Sequence, residues 1–222
     1  MAFRGQVSEA RRPAPRLYLV IPQQLAGHAD LLAQALGAGV AAALVYLPDA
    51  DQRTQIDQVK AVAPCVQERG VALLLAEHPE LAAPTGADGA HLNGIEALKA
   101  VLPALRPARI AGCGGLATRH DAMLAGEAGA DYVMFGEPEP SGHRPSFGAI
   151  IERVAWWAEV FELPCVGFAA SLDEVNPLAS AGADFVALGD WVFADARGCA
   201  APVADAARAS PPAPGRLAAR AA

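Results

Sequence analysis

The chain repeats one short motif, Gly-Ala followed by Asp or Gly, four times at wide and similar intervals. The copies begin at Gly37, Gly86, Gly129 and Gly182, so the intervals between them are 49, 43 and 53 residues. Each copy follows a helix-like stretch and opens a short apolar run, as expected where a glycine ends a helix and a buried strand begins. One interval has room for about two strand–helix units. The repeat therefore predicts about eight units, the number found in a closed (β/α)8 barrel.

An open, doubly wound sheet is the alternative, since Gly-Ala-Asp is a common helix-to-strand turn in any α/β protein. A chain of 222 residues with that architecture would have fewer strands than the repeat indicates. The hydrophobic content of 53% suits strands that are covered on both faces. We predict a single α/β domain, a (β/α)8 TIM barrel, over residues 16–207. Residues 1–15 and 208–222 are rich in Arg, Pro and Ala, which predicts a disordered arm and a disordered tail.

Eight short apolar runs are the predicted strands, at 17–21, 41–47, 71–75, 89–92, 109–113, 132–135, 164–168 and 185–188. Amphipathic stretches between them predict helices at 25–36, 52–69, 94–102, 119–128, 147–162, 172–181 and 191–207. Only a short third helix fits between Pro79 and Pro84.

Composition excludes several classes of protein. The net charge of −7 disfavours nucleic-acid binding, and no apolar run reaches the roughly 18 residues that a membrane span needs. No apolar segment of the kind found in secretory signals follows the N-terminal arginines. The four cysteines are scattered without a CxxC pair, which argues against zinc and fits a reducing compartment. We therefore expect a cytoplasmic protein that binds a small molecule, neither nucleic acid nor membrane, and we leave a homo-oligomeric state open.

Reactive groups in such barrels follow the carboxyl ends of the strands. Those positions are rich in carboxylates, and Arg144 is the clearest cation among them. Glu77 and Glu96 follow neighbouring strands, so they could share a Mg²⁺ ion, which would offset the repulsion between this rim and a phosphorylated substrate. The alternative is that both glutamates are solvated rim residues. His143 could exchange a proton near neutral pH, although a lone rim histidine is more often incidental.

Four segments together resemble the thiamine phosphate synthase family, including its thiazole tautomerase relatives. The segments are Leu17–Val20, Gly86–Leu92, Gly129–Gly136 and Gly182–Val186, and the similarity runs over residues 16–207. The resemblance implies a TIM barrel. It also implies an enzyme that joins a pyrimidine diphosphate to a thiazole phosphate, with Mg²⁺ as cofactor and loss of diphosphate.

The resemblance also implies positions that touch the ligand. The two metal carboxylates of the family correspond to Glu77 and Glu96. The family's Ser-x-His-Thr falls on residues 115–118, where the tautomerase histidine is Ala117, and its diphosphate loop falls on residues 141–144. A Gly-Gly phosphate cradle corresponds to Ala169 and Ala170. The candidate substrate-binding residues are therefore Gly115, Thr118, Ser141, His143, Arg144, Ala169, Ala170, Ser171 and Asp190.

Two departures from the family pattern stand out. The family's Gln-x-Arg-x-Lys after the second strand is absent from Leu44–Pro48, which removes cations that would offset a diphosphate. Asp190 places a negative charge beside a helix start that would favour an anion. From these departures we expect a divergent homologue that binds a small heterocycle, with or without phosphate, and has little synthase activity. The alternatives are an active synthase and a non-catalytic binding protein.

Overall fold

A computed structural model describes residues 13–37, 39–139 and 141–211. Its eight strands pair in chain order and in parallel, and the pairing of the last strand with the first closes the barrel. This closure confirms the predicted (β/α)8 barrel and excludes the open sheet. The strands are β1 (Arg16–Ile21), β2 (Val40–Val45), β3 (Ala72–Ala76), β4 (Gly89–Asn93), β5 (Ile110–Gly114), β6 (Tyr132–Phe135), β7 (Cys165–Ala169) and β8 (Phe185–Leu188).

A helix follows each strand. The helices are α1 (Ala29–Ala35), α2 (Gln52–Gln67), α3 (Pro79–Thr85), α4 (Ile95–Leu105), α5 (Arg119–Ala128), α6 (Phe147–Val160), α7 (Leu172–Ser180) and α8 (Ala200–Arg208). Within the described part of the chain, no helix has the length and apolar character that a membrane crossing requires. The disorder predicted for 1–15 and 208–222 falls outside the described residues, except at 13–15 and 208–211.

Two of the predicted helices are shorter than expected, because each is preceded by a separate 3-10 turn. Residues Gln23–Leu25 and Asp190–Ala194 form these turns. Gly198 has a φ of 85°, a left-handed conformation that a continuous α-helix cannot include, so the final helix begins after it. These breaks place irregular backbone beside the carboxyl ends of β1 and β8, where the main cavity lies.

Alternating side chains along the strands form two apolar layers. Leu17, Leu19 and Ile21 of β1 point outward and pack with the helices. Tyr18 points into the barrel, where it belongs to a smaller cluster that fills the interior with residues such as Phe168. The period of two along a strand explains this division, since successive side chains leave opposite faces of the sheet.

The repeated Gly-Ala-Asp motif ties the strands together at their amino ends. Asp88, Asp131 and Asp184 each precede an even-numbered strand. Their carboxylates accept hydrogen bonds from an amide in the first two residues of the preceding strand, with distances of 2.7 Å to Leu73 N, 2.7 Å to Ala111 N and 2.9 Å to Cys165 N. Each bond satisfies a backbone N–H at the start of a strand. In three of its four copies, the repeat that predicts the fold therefore also links neighbouring strands by a side-chain hydrogen bond.

Candidate functional site

A cavity of about 500 Å³ opens at the carboxyl ends of the strands. Its apolar lining includes Val20, Leu44, Met134 and Phe168. Its polar lining consists of Gln23, Gln24, Tyr46, Glu77, His91, Asn93, Glu137, Glu139 and Asp190. A second cavity of about 380 Å³ adjoins it and shares Asn93, Met134, Glu137 and Glu139 with it. An apolar pocket with a few polar groups is the usual form of a small-molecule site.

Glu137 lies between the two cavities, directly after the turn that ends β6. Its Oε1 accepts a hydrogen bond of 2.6 Å from the Gly115 amide. A Cβ atom at Gly114 would lie 1.9 Å from that oxygen and 2.6 Å from His91 Nε2, so only glycine leaves room for this packing. Burial raises the pKa of the Glu137 carboxyl to about 7. Glu137 therefore changes protonation near neutral pH.

A chain of buried polar groups leads from this wall into the barrel. His91 Nδ1 is 2.9 Å from the Tyr132 hydroxyl, which in turn is 2.8 Å from the Tyr18 hydroxyl. The imidazole ring also stacks on Tyr132, with 5.6 Å between the ring centroids. Burial lowers the pKa of His91 to about 4, so the imidazole is neutral at physiological pH. The wall behind Glu137 is thus polar but uncharged.

Glu77 lies on the cavity rim after β3 and has a φ of 59°. A non-glycine residue in this left-handed region is strained, and such strain is found preferentially at functional sites. Its backbone N–H donates a 2.9 Å hydrogen bond to the His91 carbonyl oxygen, which holds the turn in place. The geometry keeps a carboxylate at the mouth of the cavity.

Glu96 does not line either cavity. Its side chain is 92% exposed on the first turn of α4 and lies 3.6 Å from Lys99 Nζ. Among the described residues, no group of three or more His, Cys, Asp or Glu side chains could hold a metal. Of the two predicted ligands, Glu77 alone lines the cavity, and Mg²⁺ in proteins commonly has one or two carboxylate ligands beside phosphate oxygens and water. A magnesium site that uses Glu77 and Glu96 stays a prediction.

Arg144, the expected phosphate-binding cation, is engaged with the protein itself. Its guanidinium makes two hydrogen bonds to Glu174, of 2.8 and 2.9 Å, and donates to the carbonyl oxygens of Gly136 and Phe168 at 2.6 and 2.7 Å. Glu174 also accepts a 2.8 Å hydrogen bond from the Ala170 amide. This cluster joins the loops after β6 and β7, so Arg144 has a structural role in the described geometry.

Arg153 and Tyr46 are cavity residues that the sequence did not single out. Arg153 lies on the second turn of α6, lines the smaller cavity and donates to the carbonyl oxygens of Leu116 and Ala117. Because Arg153 lies on a helix, the strand-end pattern does not include it, although its place beside the buried Ile150 and Val154 indicates an inward-facing position. Tyr46 lines the main cavity, and burial raises its pKa to about 12.

Three of the other predicted residues lie at the cavities. Gly115 and Ser141 line the smaller cavity, and Asp190 lines the larger one. The Ser141 hydroxyl is 3.3 Å from both Glu139 Oε2 and the His143 amide, within a tight turn.

The remaining predicted residues lie outside both cavities. Thr118 accepts a 3.1 Å hydrogen bond from the Asp121 amide and forms the capping box of α5. Ala169 accepts a 3.0 Å bond from Trp191 Nε1, while Ser171 is the N-cap residue of α7 without a side-chain cap bond. His143 is exposed on its loop.

A closed parallel barrel with a polar cavity at the carboxyl ends of its strands defines a (β/α)8 protein with a small-molecule site. Within that class, the family model for thiamine monophosphate synthase matches residues 17–192. The chain therefore belongs to the thiamine monophosphate synthase family.

Known relatives agree with this assignment. The thiamine-phosphate synthase of Rhodospirillum centenum is 39% identical over 201 residues, which cover 86% of this chain and 95% of that relative. The thiamine-phosphate synthase of Hyphomonas neptunium is 35% identical over 203 residues, 86% of this chain and 92% of that relative. The structure of the thiamine phosphate pyrophosphorylase from Pyrococcus furiosus superposes with a TM-score of 0.75, and the match covers 87% of this chain and 94% of that chain. At 18% sequence identity, this similarity supports the fold alone.

The expectation of a divergent homologue with little synthase activity is wrong. Relatives that are 35–39% identical over most of both chains are thiamine-phosphate synthases, which favours the alternative of an active synthase. The expectation relied on single positions after β2 and β8. In a barrel, however, all eight strand ends and the neighbouring helices converge on one mouth, so other elements can supply the charges. Arg153 reaches this mouth from α6, for example.

Proposed function

We propose that this chain is an active thiamine phosphate synthase of the cytoplasm, which joins a pyrimidine diphosphate to a thiazole phosphate and releases diphosphate. The observation that carries the proposal is its 39% identity with a thiamine-phosphate synthase over 95% of that relative's length. The two adjoining cavities of about 500 and 380 Å³ support it, since together they offer room for two small heterocycles.

The reaction exchanges one bond for another at the pyrimidine methylene carbon. The bond to the diphosphate oxygen breaks, and diphosphate leaves with the electron pair. The thiazole nitrogen then donates its lone pair to the carbocation-like methylene carbon. Leu44, Met134 and Phe168 give this step an apolar surface that limits access of water to the cation. Glu77 places negative charge at the rim, where it favours the developing positive charge.

Mg²⁺, when bound, would neutralise negative charge on the departing diphosphate. Glu77 and Glu96 are the residues that would hold it. Calorimetry with Mg²⁺ in the presence of inorganic diphosphate tests this assignment on the parent chain and on a Glu77→Gln, Glu96→Gln double variant. The parent should bind with the higher affinity. Equal binding by the two proteins would show that these carboxylates do not form the site.

Product formation tests the proposed activity. The purified full chain, supplied with both substrates and Mg²⁺, should form thiamine phosphate and diphosphate in equal amounts, at a rate on the order of 1 per second. Glu159 is exposed on α6 and outside both cavities, so a Glu159→Gln variant is a matched control that should retain the parental rate. Absence of product from the folded parent chain would refute the proposal.

A further inference from the structure

We propose that Glu137 recognises the aminopyrimidine edge of the substrate, donating a hydrogen bond from its carboxyl group to the ring nitrogen and accepting one from the adjacent amino group. This inference rests on the proposed function, because it assigns the pyrimidine half of the substrates to one wall of the same site. It names a specificity-determining residue that lies outside the positions implied by the family motifs.

The position of the carboxyl group suits this role. Glu137 borders both cavities, so a ring in contact with it lies where the two substrates must meet. The Gly115 amide fixes one carboxyl oxygen at 2.6 Å. No side chain among the described residues donates a hydrogen bond to this carboxyl group, in contrast to the fully engaged Glu174. The carboxyl group is therefore oriented by backbone and retains bonding capacity for a ligand.

The pyrimidine of thiamine presents a hydrogen-bond acceptor, the ring nitrogen, beside a donor, the amino group. A protonated carboxyl group presents the complementary donor and acceptor at matching spacing. The same two-bond geometry allows a carboxamide side chain to read the corresponding edge of adenine. The apolar side chains of Leu44, Met134 and Phe168 line the same cavity and can cover the faces of a flat ring.

The segment after β2 does not supply such a donor–acceptor pair. After β2, where the family pattern has Gln-x-Arg-x-Lys, the chain carries Leu44, Val45 and Tyr46. Tyr46 is the single polar side chain among these three. Glu137, which follows β6, supplies a donor–acceptor pair on another side of the same mouth, which Gln23, Gln24 and Asn93 also line.

The surroundings keep the proton on this carboxyl group. Burial is the main cause of its raised pKa, and the groups that face it are mostly neutral at pH 7: His91 from β4, Cys113 from β5, Tyr132 from β6 and Tyr46 from the end of β2. Arg153 is the cation that opposes the shift.

Glu77 and Glu139 line the same cavity. Because both are acidic, neither supplies a positive charge that would lower the pKa of Glu137. The acid form of Glu137 is therefore well populated at neutral pH.

Calorimetry with the aminopyrimidine alcohol that corresponds to the pyrimidine half of thiamine tests the inference without catalysis. The parent chain should bind this probe, and its affinity should fall about tenfold per pH unit above neutrality as the carboxyl proton is lost. A Glu137→Gln variant retains a donor and an acceptor but cannot titrate, so it should bind with little pH dependence. A Glu137→Leu variant should lose at least about tenfold in affinity at neutral pH.

The matched control is Glu159→Gln, which removes the same charge from an exposed site and should bind like the parent. Melting curves establish that each variant is folded. Equal affinity and equal pH dependence in the parent and both Glu137 variants would overturn the inference, as would a parent chain that does not bind the probe. The product assay is scored separately, so thiamine phosphate formation without a role for Glu137 would refute this inference alone. Probe binding that depends on Glu137 without product would refute the proposed function alone.

Discussion

The two mouths of the barrel are built from the same eight strands but differ in how their polar groups are used. At the amino ends, a cavity of about 330 Å³ is lined mainly by apolar residues, and Arg16 is its charged residue. The aspartates of the repeat at this end are bonded to strand amides. At the carboxyl ends, the larger cavity contains the strained Glu77 and the half-buried Glu137 with its raised pKa.

This difference shows how one scaffold separates stability from function. At the amino ends, polar side chains satisfy the backbone, so replacing them should affect folding. At the carboxyl ends, Glu137 retains hydrogen-bonding capacity and Glu77 lies on strained backbone, so replacing either residue should affect activity. The division agrees with the general behaviour of TIM barrels, whose active sites lie at the carboxyl ends of the strands.

The largest expected effect is on activity at the carboxyl-end mouth. A Glu77→Gly variant should lose about 100-fold or more in kcat/KM, because it removes a charge from the reacting region. It should also gain about 0.5–1 kcal/mol in unfolding free energy, since glycine adopts the left-handed backbone without strain. Product assays and denaturant unfolding measure the two effects. The matched variant Glu77→Gln should lose activity without this gain, and a glycine variant of parental activity would contradict the account.

The second effect concerns stability at the amino-end mouth. An Asp184→Ala variant should lose about 1–3 kcal/mol in unfolding free energy, because the Cys165 amide loses its carboxylate partner. The kcat/KM of the folded variant should stay at the parental value. Asp173 is exposed in the first turn of α7, so Asp173→Ala is a control that should cost only a few tenths of a kcal/mol. A loss of activity in folded Asp184→Ala would break the proposed separation.

The smallest effect concerns the pH dependence of stability. Because burial raises the Glu137 pKa from 4.5 to about 7, its contribution to stability is present below about pH 4.5 and is lost as the pH rises through about 7. A Glu137→Gln variant does not titrate. Relative to the parent, it should therefore gain on the order of 1 kcal/mol above neutrality and little at acidic pH. Unfolding curves at several pH values measure this difference, and a constant difference across them would contradict the assignment.

The sequence predicted the fold well because the decisive signal is local. A glycine near the end of a helix, followed in three of the four copies by an aspartate just before a strand, marks every second unit without reference to distant residues. The strand-end positions also identified Glu77 and Asp190 as groups at the carboxyl-end mouth, since strand order alone decides which end a residue occupies. The boundaries of the first and last helices were less accurate, because the 3-10 turns beside them carry no periodic pattern.

The uses of individual side chains could not be predicted in the same way. Arg144 resembles a free phosphate-binding cation in sequence, but its partner Glu174 lies 30 residues further along the chain. Arg153 belongs to a helix and reaches the mouth only because α6 packs on the barrel. In both cases, the role of the arginine is decided by contacts with residues that are distant in the sequence. Thr118 is different, because its cap with Asp121 is a local pattern of four residues that can be recognised from the sequence.

The most direct test of the central claim is a crystal structure of the chain with thiamine phosphate bound. The account predicts that the product occupies the carboxyl-end mouth, with its pyrimidine edge on Glu137 and its apolar faces against Met134 and Phe168. Binding in the amino-end cavity beside Arg16 would contradict the account. So would a product that occupies the carboxyl-end mouth with its pyrimidine turned away from Glu137 and its thiazole against that wall.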